Sequence, residues 1–187
     1  LTISSIGVPN AVSKIVSERV AIGDHRGAHK VFKIALITFG TIGFLCSLFL
    51  FYMAKDIANN WIQIPEAEMS LTALSPSIFF VSIICVIRGY FNGRQCIKVT
   101  ANSQTIEQIF KMTLTIIIVE ILAIISGTDT SIMAGGANIA TTISSILCFV
   151  YLYIYYSTVK KEIAREVKDS VNYRYKGIIK IIKDQSE

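Results

Sequence analysis

Uncharged stretches alternate with short charged ones along this chain, and the lengths of the uncharged stretches set the first expectation. Ile34 to Ala54, IALITFGTIGFLCSLFLFYMA, matches the apolar core of a bilayer, which an α-helix crosses in about 20 residues at 1.5 Å each. Leu71 to Ile87 is shorter and holds Pro76, which predicts a kink. Met112 to Thr128 is rich in isoleucine and interrupted only by Glu120, and Ala134 to Val159 is long, uncharged and ends in the aromatic cluster YLYIYY. Tyrosines gathered at one end suit a membrane interface. The opening LTISSIGVPNAVS is too short to cross and reads as the end of a helix. The pattern therefore predicts an all-α, polytopic transmembrane bundle. Its approximate spans are 34–54, 71–87, 112–128 and 134–159, with a partial helix over 1–13 and a basic amphipathic tail from 160 to 187.

Composition agrees with this reading. The chain has 187 residues, of which 52% are hydrophobic and 17% charged, and its mean hydropathy is +0.56. A soluble domain of this size carries more charge. The formal charge of +5 would suggest nucleic acid on a soluble protein, but here the cations lie between apolar runs, so no nucleic-acid partner is expected.

Those connecting charges predict orientation. The segment 14–33 is basic, 55–73 is not, 88–111 is basic, the link after the isoleucine run carries only Asp129, and the tail from Lys160 holds eight basic residues. This alternation is the positive-inside pattern, and it places the segments around Arg19, Arg94 and Lys161 on the cytoplasmic side of a cell membrane. Trp61 then fits an anchor at the opposite interface. The tail keeps an apolar edge through Val159, Ile163, Val167 and Val171, which predicts a helix along or leaving the membrane, its lysines near anionic headgroups.

No catalytic constellation is present: GxSxG, phosphate-loop and dinucleotide motifs are absent, so no enzyme activity and no cofactor are expected. The four cysteines are scattered and read as packed thiols. His25 and His29 are four apart, but no third ligand is near and no metal is expected. Glu120 stands about 13 Å along its helix from Lys111, near the bilayer centre, where a carboxyl group is costly unless it serves a polar cavity or takes a proton. It is the candidate ion-coupling residue. Lys14, Arg88 and Arg94 are the candidate substrate-binding cations. Topology alone asks for basic residues there, but RGYFNGRQ adds Gly89 and Gly93 at a spacing that permits close helix approach, two aromatic rings, and arginines whose planar fork suits phosphate oxygens. The every-fourth-residue stripe Gly136, Ala140, Ser144 predicts plain helix packing.

GVPNAVSKIVSE, the GDHRGAHKVFKIAL turn, LSPSIFFVSIICVIRGYFNGRQ and TANSQTIEQIFK together resemble the stage V sporulation protein B branch of the polysaccharide and lipid-linked oligosaccharide flippases. That branch is related to lipid II flippases and, more distantly, to MATE exporters. The chain departs from the family's usual RGYFQG and following Thr-Pro at Asn92, Arg94, Lys98 and Val99, which makes this connection more basic. The resemblance implies a MATE-like lobe fragment, running from the end of the second helix through the sixth. It also implies that the whole protein flips a lipid-linked precursor of cell wall, spore cortex or polysaccharide by alternating access, with membrane lipids, that lipid-linked substrate and the remaining helices as partners. The alternatives are a cation-coupled multidrug exporter using Glu120, and a membrane scaffold or truncated product without transport.

Overall fold

The computed structural model describes residues 2–63, 67–126 and 130–184, with side chains described over 7–63, 67–124 and 132–169. Among the described residues five α-helices follow one another: α1 Thr2–Ala21, α2 His25–Asp56, α3 Ala67–Gly93, α4 Ile97–Ser126 and α5 Thr130–Asp184. No strand occurs among the described residues. A π-helical turn, Ile57–Ile62, extends α2 and carries Trp61, which is 85% exposed at that end of the bundle.

Among the described residues, three helical stretches are long and apolar enough to cross a membrane: His25–Ile62, Ala67–Gly93 and Ile132–Asp169. The expected span 112–128 lies on α4 up to Ser126, and its last two residues, 127 and 128, lie outside those described. The outward faces of α2 and α4 are apolar and open, with Phe44, Phe49, Phe51, Ile116 and Ile124 all at least half exposed. Such a surface suits acyl chains rather than water.

The turns between helices follow local chemistry. At the end of α1, Gly23 takes a left-handed φ of 73°. Its N–H donates to the Val20 carbonyl and that of Asp24 to the Arg19 carbonyl, each at 2.9 Å. This pair of bonds closes a helix C-terminus with a glycine just past it. Asp24 then caps α2 by accepting from the Gly27 N–H at 3.0 Å. The end of α3 repeats the pattern with a different residue. Gln95 sits at φ 62°, its N–H donating to the Asn92 carbonyl and that of Cys96 to the Phe91 carbonyl. The segment expected as a cytoplasmic connection over 88–111 is thus two helix ends joined by a three-residue turn, 94–96.

Pro76 lies inside α3 without ending it. A proline removes the N–H that would reach the carbonyl four residues back, here that of Thr72. The Ser75 hydroxyl donates to that carbonyl at 2.9 Å, and the next carbonyl, of Ala73, accepts from the Thr142 hydroxyl of α5 at 2.7 Å. The Ser75 hydroxyl thus supplies the bond that the backbone lost at Thr72, as apolar surroundings demand.

Glycine decides where α1 meets α3. A Cβ on Gly89 would stand 2.8 Å from the Pro9 carbonyl oxygen, and one on Gly93 would stand 2.6 Å from Val16 Cβ and 2.8 Å from the Ser13 carbonyl oxygen. The backbones cross too closely for any side chain, as the spacing predicted. Between α4 and α5, Gly136, Ala140 and Ser144 are buried, and a Cβ on Gly136 would collide with Leu122. That stripe is helix packing. The largest buried cluster gathers Val12 and Val16 of α1, Phe32 of α2, Ile87, Tyr90 and Phe91 of α3, and Cys148, Leu152 and Ile163 of α5. It sits toward the end of the bundle where α1 and α3 finish, and α5 runs past it without a break.

Candidate functional site

Arg88 lies on α3 one turn before its end and turns inward, between α4 and α5. Its Nε donates to Ser103 Oγ at 2.9 Å, and one terminal nitrogen reaches Glu107 Oε2 at 2.7 Å and Cys148 Sγ at 3.1 Å. The Ser103 hydroxyl donates on to the Thr100 carbonyl, and the Cys148 thiol lies 3.5 Å from the Ser103 carbonyl. The Arg88 and Glu107 side chains are only 12% and 19% exposed. The pair is therefore a largely desolvated bond among three helices, made where both lost hydration shells are replaced by hydrogen bonds.

Arg94 occupies the turn after α3. Its guanidinium lies over the Tyr90 ring, 5.6 Å from the centroid, and donates to the Tyr90 hydroxyl at 3.1 Å. It also forms an ion pair with Glu166 of α5. Burial works against the Arg94 charge, but the Tyr90 hydroxyl and the Glu166 carboxylate outweigh it and hold its pKa above the ordinary value. The pair fastens the continuation of α5 to the end of α3, beside Ile163, which is 2% exposed.

The other two candidates lie elsewhere. Lys14 is exposed on α1 and has no ion pair among the described residues. Glu120 is exposed on α4, in an open face that also shows Ile116, Ile117, Ile121 and Ile124. It points away from the bundle rather than into a cavity within it. No hydrogen bond or ion pair joins Lys14, Arg88, Arg94 and Glu120 to one another among the described residues. Sequence reasoning missed Glu107, Ser103 and Cys148 as partners of Arg88. The available signal was Glu107 itself, the one acid in a stretch with four basic residues.

A family model described as "Polysaccharide biosynthesis protein" matches residues 1–183. The chain belongs to that family. Among curated relatives it is 26% identical over 162 residues to "Stage V sporulation protein B" of Bacillus subtilis (strain 168), covering 85% of this chain and 31% of the relative. It is 28% identical over 165 residues to "Lipid II flippase MurJ" of the same organism, covering 84% of this chain and 30% of the relative. The chain thus spans about three-tenths of these relatives. No solved structure matches it. Apolar helices and flippase relatives together make it a multi-pass membrane member of the family.

Proposed function

We propose that this chain is part of a transporter that flips a lipid-linked polysaccharide or peptidoglycan precursor across the cytoplasmic membrane by alternating access, without catalysing a reaction on it. The observation that carries this reading is the family match across residues 1–183 together with a lipid II flippase among the relatives. Alternating access needs two lobes about a central site. The five helices described here would supply one wall of that site, and the remaining helices the rest.

The basic ends of α1, α3 and α5 face the cytoplasm in this reading, following the charge asymmetry of the connections. A pyrophosphate-bearing lipid would meet three cations. Lys14 is the most direct, because it is exposed and holds no partner among the described residues. Arg88 and Arg94 are already held by Glu107 and Glu166, so each would meet a phosphate by exchanging one oxyanion for another. Glu120, exposed on an apolar face, would carry the coupling proton or cation, since a bare carboxylate is costly at that depth.

Reconstitution of the full protein in vesicles with a lipid-linked pyrophosphate sugar tests this. Flipping by the parent protein that drops in Lys14→Ala at equal insertion supports the reading. A protein that moves only organic cations, or flipping indifferent to Lys14, Arg88 and Arg94 alike, refutes the cargo site.

A further inference from the structure

A second basic cluster lies at the same end of the bundle, on the seam of α2, α3 and α5. Three ring contacts define it. The His29 and Tyr90 rings lie 6.4 Å apart, Phe32 stacks obliquely on Tyr90 at 4.4 Å, and Phe32 meets Tyr156 at 5.5 Å. These rings bring one turn from each helix together. Lys33 follows His29 by one helical turn and Lys160 follows Tyr156 by one, so both cations rise from this seam, and both are exposed. Lys33, Arg94 and Lys160 all act electrostatically on His29. Of the three, only Arg94 has an ion-pair partner among the described residues, Glu166. His29 Nδ1 is buried without a hydrogen-bond partner among the described residues, which leaves Nε2 as the nitrogen available to a ligand.

We propose that this seam binds one phosphate group, with Lys33 and Lys160 as its principal contacts and His29 as a further donor. With Arg94 held by Glu166, Lys33 and Lys160 are the cations at this seam that no ion pair among the described residues neutralises, and an anion there would gain from both. The location at the end of apolar spans puts the site at headgroup level, where an acidic phospholipid presents its phosphate and where attraction to lysine is least weakened by water. A free phosphate ion offers the same chemistry. The proposal does not rest on the transport reading, because it concerns a resident ligand of the lobe rather than the cargo.

The test uses the full chain in nanodiscs of phosphatidylcholine with a minor share of phosphatidylglycerol, and counts the lipid retained on native mass spectrometry. The parent protein should retain one phosphatidylglycerol preferentially. Lys33→Gln with Lys160→Gln should weaken that retention by roughly tenfold or more. The control is Lys161→Gln with Arg165→Gln, which removes equal charge from the exposed face of α5 while leaving Lys33 and Lys160 in place. It should retain the lipid. Displacement of the lipid by millimolar inorganic phosphate in the parent but not in the Lys33 and Lys160 variant would also support the site, with the free ion as an alternative ligand. Equal loss in both variants would reduce the effect to diffuse surface charge and overturn the proposal, as would retention without preference for phosphatidylglycerol.

Discussion

Breaking the Arg88–Glu107 pair should be among the most damaging single changes available in this lobe. In Glu107→Gln the guanidinium, 12% exposed, keeps Ser103 Oγ and Cys148 Sγ but loses its only counter-charge among the described residues. Removing one member of a buried pair typically costs 3–5 kcal/mol because the survivor stays charged and desolvated. The residual exposure of both side chains puts the expected cost near the lower end, about 3 kcal/mol. For a chain of this size that corresponds to a fall in melting temperature of roughly 6–12 °C. Replacing both partners by apolar residues of similar volume, Arg88→Met with Glu107→Met, should recover much of that loss, since no charge is then left buried. Two readouts follow the change: helix melting in detergent, and the rate at which a maleimide labels Cys148, which is fully buried in the parent. Labelling should accelerate in Glu107→Gln, because α4 and α5 part where the thiol sits. If Glu107→Gln melts within about 1 °C of the parent and Cys148 stays protected, the pair does not hold these helices together. Additive losses in the double variant would equally refute the desolvation argument.

Gly93→Leu should destabilise by about 3 kcal/mol or more, since even a Cβ meets Val16 and the Ser13 carbonyl and overpacking alone costs 1–3 kcal/mol; loss of a disulfide cross-link engineered between α1 and α3 reports it. Gln95→Gly should stabilise by about 1 kcal/mol, because glycine adopts the left-handed φ of 62° without a Cβ penalty; the measurement is a rise in melting temperature. Glu120→Gln should leave stability within about 0.5 kcal/mol, the side chain being exposed and without an ion pair among the described residues, while abolishing any dependence of transport on a proton or cation gradient.

Much of this fold was legible before any coordinates, for reasons that are local. A bilayer-length run of uncharged residues has one economical backbone solution, the helix, so the all-α class follows from hydropathy and length. The glycine spacing of Gly89 and Gly93 marks a close crossing because a missing Cβ has the same meaning on any helix. The turn in GDHRGAHK was expected, but its closure by Gly23 and the cap by Asp24 went unread, although both are local signals. Other features depend on how helices are rotated against one another. Arg88 looked like a residue at a helix boundary; only the packing of α4 and α5 onto α3 turned it inward, onto a carboxylate 19 positions away and a thiol 60 positions away. Glu120 looked like a buried carboxylate by depth alone, and the rotation of α4 set it on the outer face. Pro76 predicted a kink, and only the structure shows that the Ser75 hydroxyl meets the carbonyl that proline leaves open. Hydropathy and steric bulk act through the chain's own neighbourhood and so are written along it. Ion pairs and exposure are properties of facing surfaces, and those exist only once the helices have docked.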